Sequence, residues 1–137
     1  MTPFIQRHHE CALASLCWLT DTDYETASDL FKLENPLPWG GVTSIEGADK
    51  WWVPFIRKWF NLPVGIEFFS TANDKDAYIP SGNDNGLLLM KRYGSHGAAL
   101  KDGMVFDPEY GTVEPLNDYV TQREADGWTI CGVRRVS

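Results

Sequence analysis

A chain of 137 residues, 43% hydrophobic and 13% aromatic, can bury a substantial core, and its length matches a single domain over residues 1–137. A formal charge of −7, with no basic cluster longer than Arg134-Arg135, excludes the usual footprint of a nucleic-acid partner. Three cysteines at no scaffold-like spacing argue against a disulfide framework, and neither a signal-peptide core nor a membrane-length apolar run is present, so the expected location is the cytoplasm with no membrane partner.

The elements follow in chain order. From about Glu10 to Leu19, Leu13, Leu16 and Cys17 recur at helical spacing, with Cys11 in the first turn. Thr22-Asp23-Tyr24-Glu25 matches a capping box and predicts a second helix to about Leu33. Asn35 to Gly41 reads as a loop by its Pro and Gly content. A second capping box, Thr43 to Glu46, opens a helical pattern through Phe60 that Pro54 kinks or restarts. Val64 to Phe69 reads as a strand, and Ser70 to Asn85 as a polar surface loop.

Gly86 to Tyr93 and Ser95 to Leu100 read as strands. Asp102-Gly103 between Lys101 and Met104 signals a two-residue hairpin, with Met104 to Asp107 as the returning strand. Leu116 to Ala125 predicts a helix stopped by Gly127, and Trp128 to Val136 a last strand. Helices first and an antiparallel sheet second give an α+β fold class.

Four residues carry the chemistry. Cys11 is the candidate nucleophile, because the free N–H groups and dipole of a helix start favour a thiolate. Cys17 and Cys131 lie inside apolar elements and read as core. Gln6, five positions earlier, can give a side-chain amide to an oxyanion beside the backbone N–H of Cys11. His96 is the candidate base. His8 and His9 are nearer to Cys11 in sequence, but a base must reach the thiol from a separately fixed element. A metal site would draw on His8, His9 and Cys11, which lack structural-zinc spacing and a fourth partner, so no metal and no cofactor is expected.

Asp107 is the candidate orienting carboxylate. If Lys101 pairs with Met104, Ala98 falls opposite Asp107 and His96 opposite Glu109, all on one face. Asp107 is then the diagonal neighbour of His96, about 7–8 Å away along the backbone and within side-chain reach. Glu109 is the alternative acid, although it follows Pro108, where pairing fails. Trp39, Gly40 and Gly41 are candidates for a substrate-binding cleft wall, equally readable as a plain turn.

Gln6, then Cys11-Ala12-Leu13-Ala14-Ser15-Leu16, resembles the Gln…Asp-Cys-Gly-x-Ala-x-Leu signature of the bacteriocin-processing, double-glycine leader peptidases and their stand-alone relatives. His96 through Asp107-Pro108 resembles the His…Asp-Pro segment of the same family. Ala12 stands where the family usually has Gly, Gln6 is one residue nearer to the Cys, and the His-to-Asp interval is shorter, in keeping with the tight turn at Asp102-Gly103. The resemblance implies a papain-like fold, with a helical half carrying Cys11 and a sheet half carrying His96 and Asp107, in a bacterial or phage protein. No transporter segment follows, so leader processing is not implied.

The expectation is a papain-like cysteine peptidase or isopeptidase with a peptide or protein substrate. Alternatives on the same residues are a cell-wall peptide amidase, an acyltransferase, or a non-catalytic binding module that keeps the fold. With Met1 only a few residues before Gln6, no inhibitory pro-segment is expected, and cleft walls at Trp39-Gly40-Gly41 and residues 70–85 would limit substrate choice.

Overall fold

The computed structural model describes residues 1–7, 10–34, 68–70 and 81–135. Helix α1 spans Cys11–Thr20 and α2 spans Tyr24–Glu34. Then come β1 (Phe68–Ser70), β2 (Gly86–Lys91), β3 (Ser95–Lys101), β4 (Met104–Asp107) and β5 (Thr112–Pro115), followed by α3 (Leu116–Ala125) and β6 (Thr129–Arg135). The strands form one sheet in the order β1-β6-β2-β3-β4-β5, every neighbouring pair antiparallel. The fold is therefore α+β. Among the described residues no helix is long and apolar enough to cross a membrane.

Helix α1 is buried on all sides from Cys11 to Cys17, because Ala12, Ala14 and Ser15 are small enough to pack where larger side chains would not fit. The cap of α2 is Asp23, one residue later than the Thr22 capping box predicts. Its carboxylate accepts the N–H of Thr26 at 2.9 Å and the Thr26 hydroxyl at 2.6 Å, while Thr22 instead shares a 2.7 Å bond with Thr20.

The two faces of the sheet are covered by different helices. Val105 packs with Leu88, Met90, Ala98, Leu100, Ile130 and Val133 against Leu116 and Tyr119 of α3. The next residue, Phe106, points the other way and stacks on Trp18 of α1, with ring centroids 4.2 Å apart. Phe4 fills the space between Phe106 and Tyr24, at 5.0 and 4.9 Å.

The hairpin forms as the sequence predicts. Lys101 pairs with Met104, Leu100 with Val105 and Ala99 with Phe106. Asp102 and Gly103 both have positive φ, 53° and 78°, which matches the right-handed twist of the strands they join. The register beyond this point needs correction. The β3–β4 ladder ends at Ala99 and Phe106, and Asp107 pairs instead with Thr112 of β5, a strand absent from the sequence reading. Pro108 has no N–H for a ladder, so the chain turns there, and the N–H groups of Tyr110 and Gly111 close back on the Asp107 carbonyl at 3.3 and 2.9 Å. Glu109 thus lies in a turn and is no ladder partner of His96. Gly111 is required in that turn: its φ is 67°, and a Cβ would stand 3.1 Å from Ile5 Cγ1.

Strand β2 stops at Lys91, short of Tyr93, because the Arg92 N–H bonds the Gly94 carbonyl at 3.0 Å and closes the link to β3. Ser70 belongs to β1 and not to the loop that the polar composition implies. The helical pattern from Thr43 to Phe60, residues 64–67 of the expected strand, Trp39-Gly40-Gly41, His8 and His9 lie outside the described residues.

Candidate active site

Cys11 is the first residue of α1, at the rim where β3 begins and β4 ends. Its helix starts without a side-chain cap. The residue in the cap position is Glu10, whose carboxylate turns away to accept the hydroxyls of Tyr24 and Ser28 at 2.7 and 2.8 Å. Cys11 opens the helix, so its N–H has no acceptor within the helix, the condition for an oxyanion donor at a helix start. Arg7 ties the preceding chain to α2: its N–H bonds Tyr24 Oη at 2.6 Å, and its guanidinium bonds Ser28 at 2.7 Å and Glu25 at 2.9 Å.

His96, near the start of β3, and Asp107, the last residue of β4, meet as the sequence predicts. Nε2 lies 2.9 Å from Asp107 Oδ1, and both residues are buried. Asp107 accepts two further hydrogen bonds. The Glu109 N–H bonds Oδ1 at 3.0 Å, and the Tyr119 hydroxyl donates to Oδ2 at 2.5 Å. Glu109 itself is half-exposed, with its carboxylate 3.8 Å from His96 Nε2, a secondary neighbour. Asp107 therefore holds the imidazole, in preference to Glu109.

The Cys11 side chain is the second group, after Asp107, that acts on this imidazole and raises it. Nε2 is committed to Asp107, so Nδ1 is the nitrogen left for the thiol. Burial alone pushes His96 down. The hydrogen bonds to Asp107 and Cys11, and the attraction of both, outweigh it and raise the imidazole from 6.5 to about 10. Burial likewise pushes Asp107 up, but His96 first, then Tyr119 and the Glu109 amide, hold it below its ordinary 3.8. The pair is thus an imidazolium on a carboxylate, with the Cys11 sulfur as the other group that favours its charge. Cys17 has no such partner: burial, then the charges of Asp23 and Glu10, push it up to about 12. Cys131 is buried in β6 with its thiol 3.4 Å from the Thr129 carbonyl.

Gln6 reaches this end of the sheet through its backbone, whose N–H bonds the Pro108 carbonyl at 2.7 Å. Its side-chain Oε1 is buried with no partner among the described residues. A half-turn of the amide presents an unbonded NH2 at the same place, the state expected of a donor that waits for a ligand oxygen.

Among the described residues, His96, Asp107 and Glu109 are the one group whose donor atoms lie close enough to share a metal, all within 4.8 Å of one another. Asp107 is a poor ligand there, because its oxygens already accept from His96, Tyr119 and the Glu109 amide. Sequence reasoning gives no place in the site to Tyr119, to Glu10, or to Trp128, whose ring lies 5.9 Å from that of His96. The spacing of Leu116 and Tyr119 marks Tyr119 as facing the sheet, but nothing local marks its partner as Asp107. No protein-family model, no characterised protein and no solved structure matches this chain.

Proposed function

We propose that this protein is a papain-like cysteine hydrolase that acts on a peptide or isopeptide bond. The observation that carries the reading is the buried chain Cys11–His96–Asp107, in which a thiol at a helix start shares an imidazole with an ion-paired carboxylate. In the first step the Cys11 sulfur, its proton on His96, attacks the acyl carbon, and the carbonyl oxygen becomes an oxyanion facing the Cys11 N–H and the Gln6 amide. The tetrahedral adduct collapses as His96 gives its proton to the leaving amine, which departs and leaves a thioester. His96, now neutral, takes a proton from water as the water attacks the thioester carbon. The second collapse expels the Cys11 thiolate, releases the acid and returns the thiolate–imidazolium pair with which the first step began.

Asp107 keeps Nε2–H bonded throughout and so fixes which edge of the ring faces the sulfur. Tyr119 and the Glu109 amide fix Asp107. The test is to incubate the protein with a peptide library, quench in acid and analyse it by mass. A thioester on Cys11, with hydrolysed product that vanishes in Cys11→Ala, is the expected result. Product formation that survives Cys11→Ala would refute the proposal.

A further inference from the structure

A cavity of about 410 Å³ opens between the β2–β3 turn and the α3–β6 turn, lined by Lys91, Arg92, Tyr93, Asp126, Gly127 and Thr129. Trp128 links it to the candidate site: its ring lies 5.9 Å from that of His96 and 5.2 Å from the Arg92 guanidinium. Arg92 is held in place without being neutralised. Tyr93 flanks it at 5.1 Å, and its NH1 bonds the Asp126 backbone carbonyl at 2.9 Å. Among the described residues no carboxylate pairs with Arg92 or Lys91. The nearest acid, Asp126, is engaged by Arg123 at 3.5 Å.

We infer that this cavity is a substrate subsite for a carboxylate-bearing leaving group, with Arg92 as its recognising residue. The inference rests on the Cys11–His96 reading and adds a substrate class to it. The imidazole must protonate the departing amine, so the leaving half of the substrate lies over His96, and Trp128 and Arg92 are what that half meets next. The exposed Arg92 guanidinium lies near the Trp128 and Tyr93 rings with NH1 tied to a carbonyl, and its remaining N–H groups offer the fork that suits a carboxylate. In a chain of charge −7, Arg92 is a cation with no carboxylate partner among the described residues, and it favours an acidic over a neutral group in this cavity.

The probes are N-bromoacetyl-glutamic acid α-amide and N-bromoacetyl-glutamine α-amide, which carry the same electrophile and differ in one charge. Rates of Cys11 modification are read by peptide mass. The acidic reagent is expected to react roughly two- to fivefold faster at low salt, a range set by an exposed ion pair. Arg92→Gln should remove that preference, and Arg92→Lys should keep part of it. Equal rates in the wild type, with Cys11 still the fastest thiol, overturn the subsite and leave the nucleophile standing. A preference that survives Arg92→Gln belongs to the imidazolium and also overturns it. If Cys11 reacts no faster than Cys17 and Cys131, the catalytic reading fails and the subsite with it.

Discussion

Asp107 and Glu10 are both buried acids, and each accepts the hydroxyl of a buried or half-buried tyrosine, Tyr119 for one and Tyr24 for the other. They differ in their remaining partners. Asp107 holds a titratable ring on which Cys11 also acts, whereas among the described residues the Glu10 carboxylate accepts hydroxyls of α2, and Glu10 stands next to Cys11 in the chain. One carboxylate sets the proton chemistry of the site. The other sets where the thiol stands. Burial and a tyrosine partner are common to both acids, so what sets Asp107 apart is the imidazole on its far side.

The largest effect should come from the ring itself. His96→Ala is expected to lower kcat by about 10⁴-fold or more. Asp107→Asn should leave roughly 10- to 100-fold more activity than that, because the base survives in poor orientation. Equal losses in the two variants, measured as kcat on a cleaved peptide, would mean that Asp107 does more than orient.

The pH dependence separates the two acids next. A group whose pKa rises on folding stabilises the fold fully below its unfolded value and loses that contribution as pH climbs through its folded value. For His96 the window runs from 6.5 to about 10, so wild-type stability should fall across it in urea titrations. His96→Gln should be flatter over the same range, and Glu10→Gln should keep the wild-type slope. A wild-type slope no steeper than that of His96→Gln would contradict the ion pair. On the acid side, Asp107 is held low, so its contribution should persist above 3.8 and disappear below it.

The two tyrosines give the smallest and sharpest contrast. Tyr119→Phe and Tyr24→Phe each leave a buried carboxylate oxygen short of a donor and should each cost about 1–3 kcal/mol of stability. Only Tyr119→Phe should also lower kcat, by about tenfold, and move the alkaline limb of the pH–rate profile. If Tyr24→Phe shifts that limb equally, the division of labour between the two networks is wrong.

Much of this arrangement is legible in the sequence because it is local or periodic. Helix α3 matches its expected limits, Leu116 to Ala125, and the Asp102-Gly103 turn sets the pairing that brings His96 and Asp107 to one end of the sheet. The ladder to Glu109 was misread, because the Pro108 turn hands Asp107 to β5, a short and mostly exposed strand with little hydrophobic pattern to reveal it. Tyr119 and Glu10 escaped notice for another reason. Their partners are 12 and 14 or more residues away, and no local spacing encodes a bond made only after the sheet and α3, or α1 and α2, have packed.

The central claim is that Cys11, His96 and Asp107 act as one unit, and thiol reactivity tests it without any knowledge of the substrate. Iodoacetamide should be applied to the folded protein across pH 5 to 10, with modification followed separately at Cys11, Cys17 and Cys131. Cys11 is expected to react fastest near neutrality, and His96→Ala to slow it sharply while leaving the other two unchanged. A Cys11 rate no greater than that of Cys17 or Cys131, or one indifferent to His96→Ala, would contradict the claim.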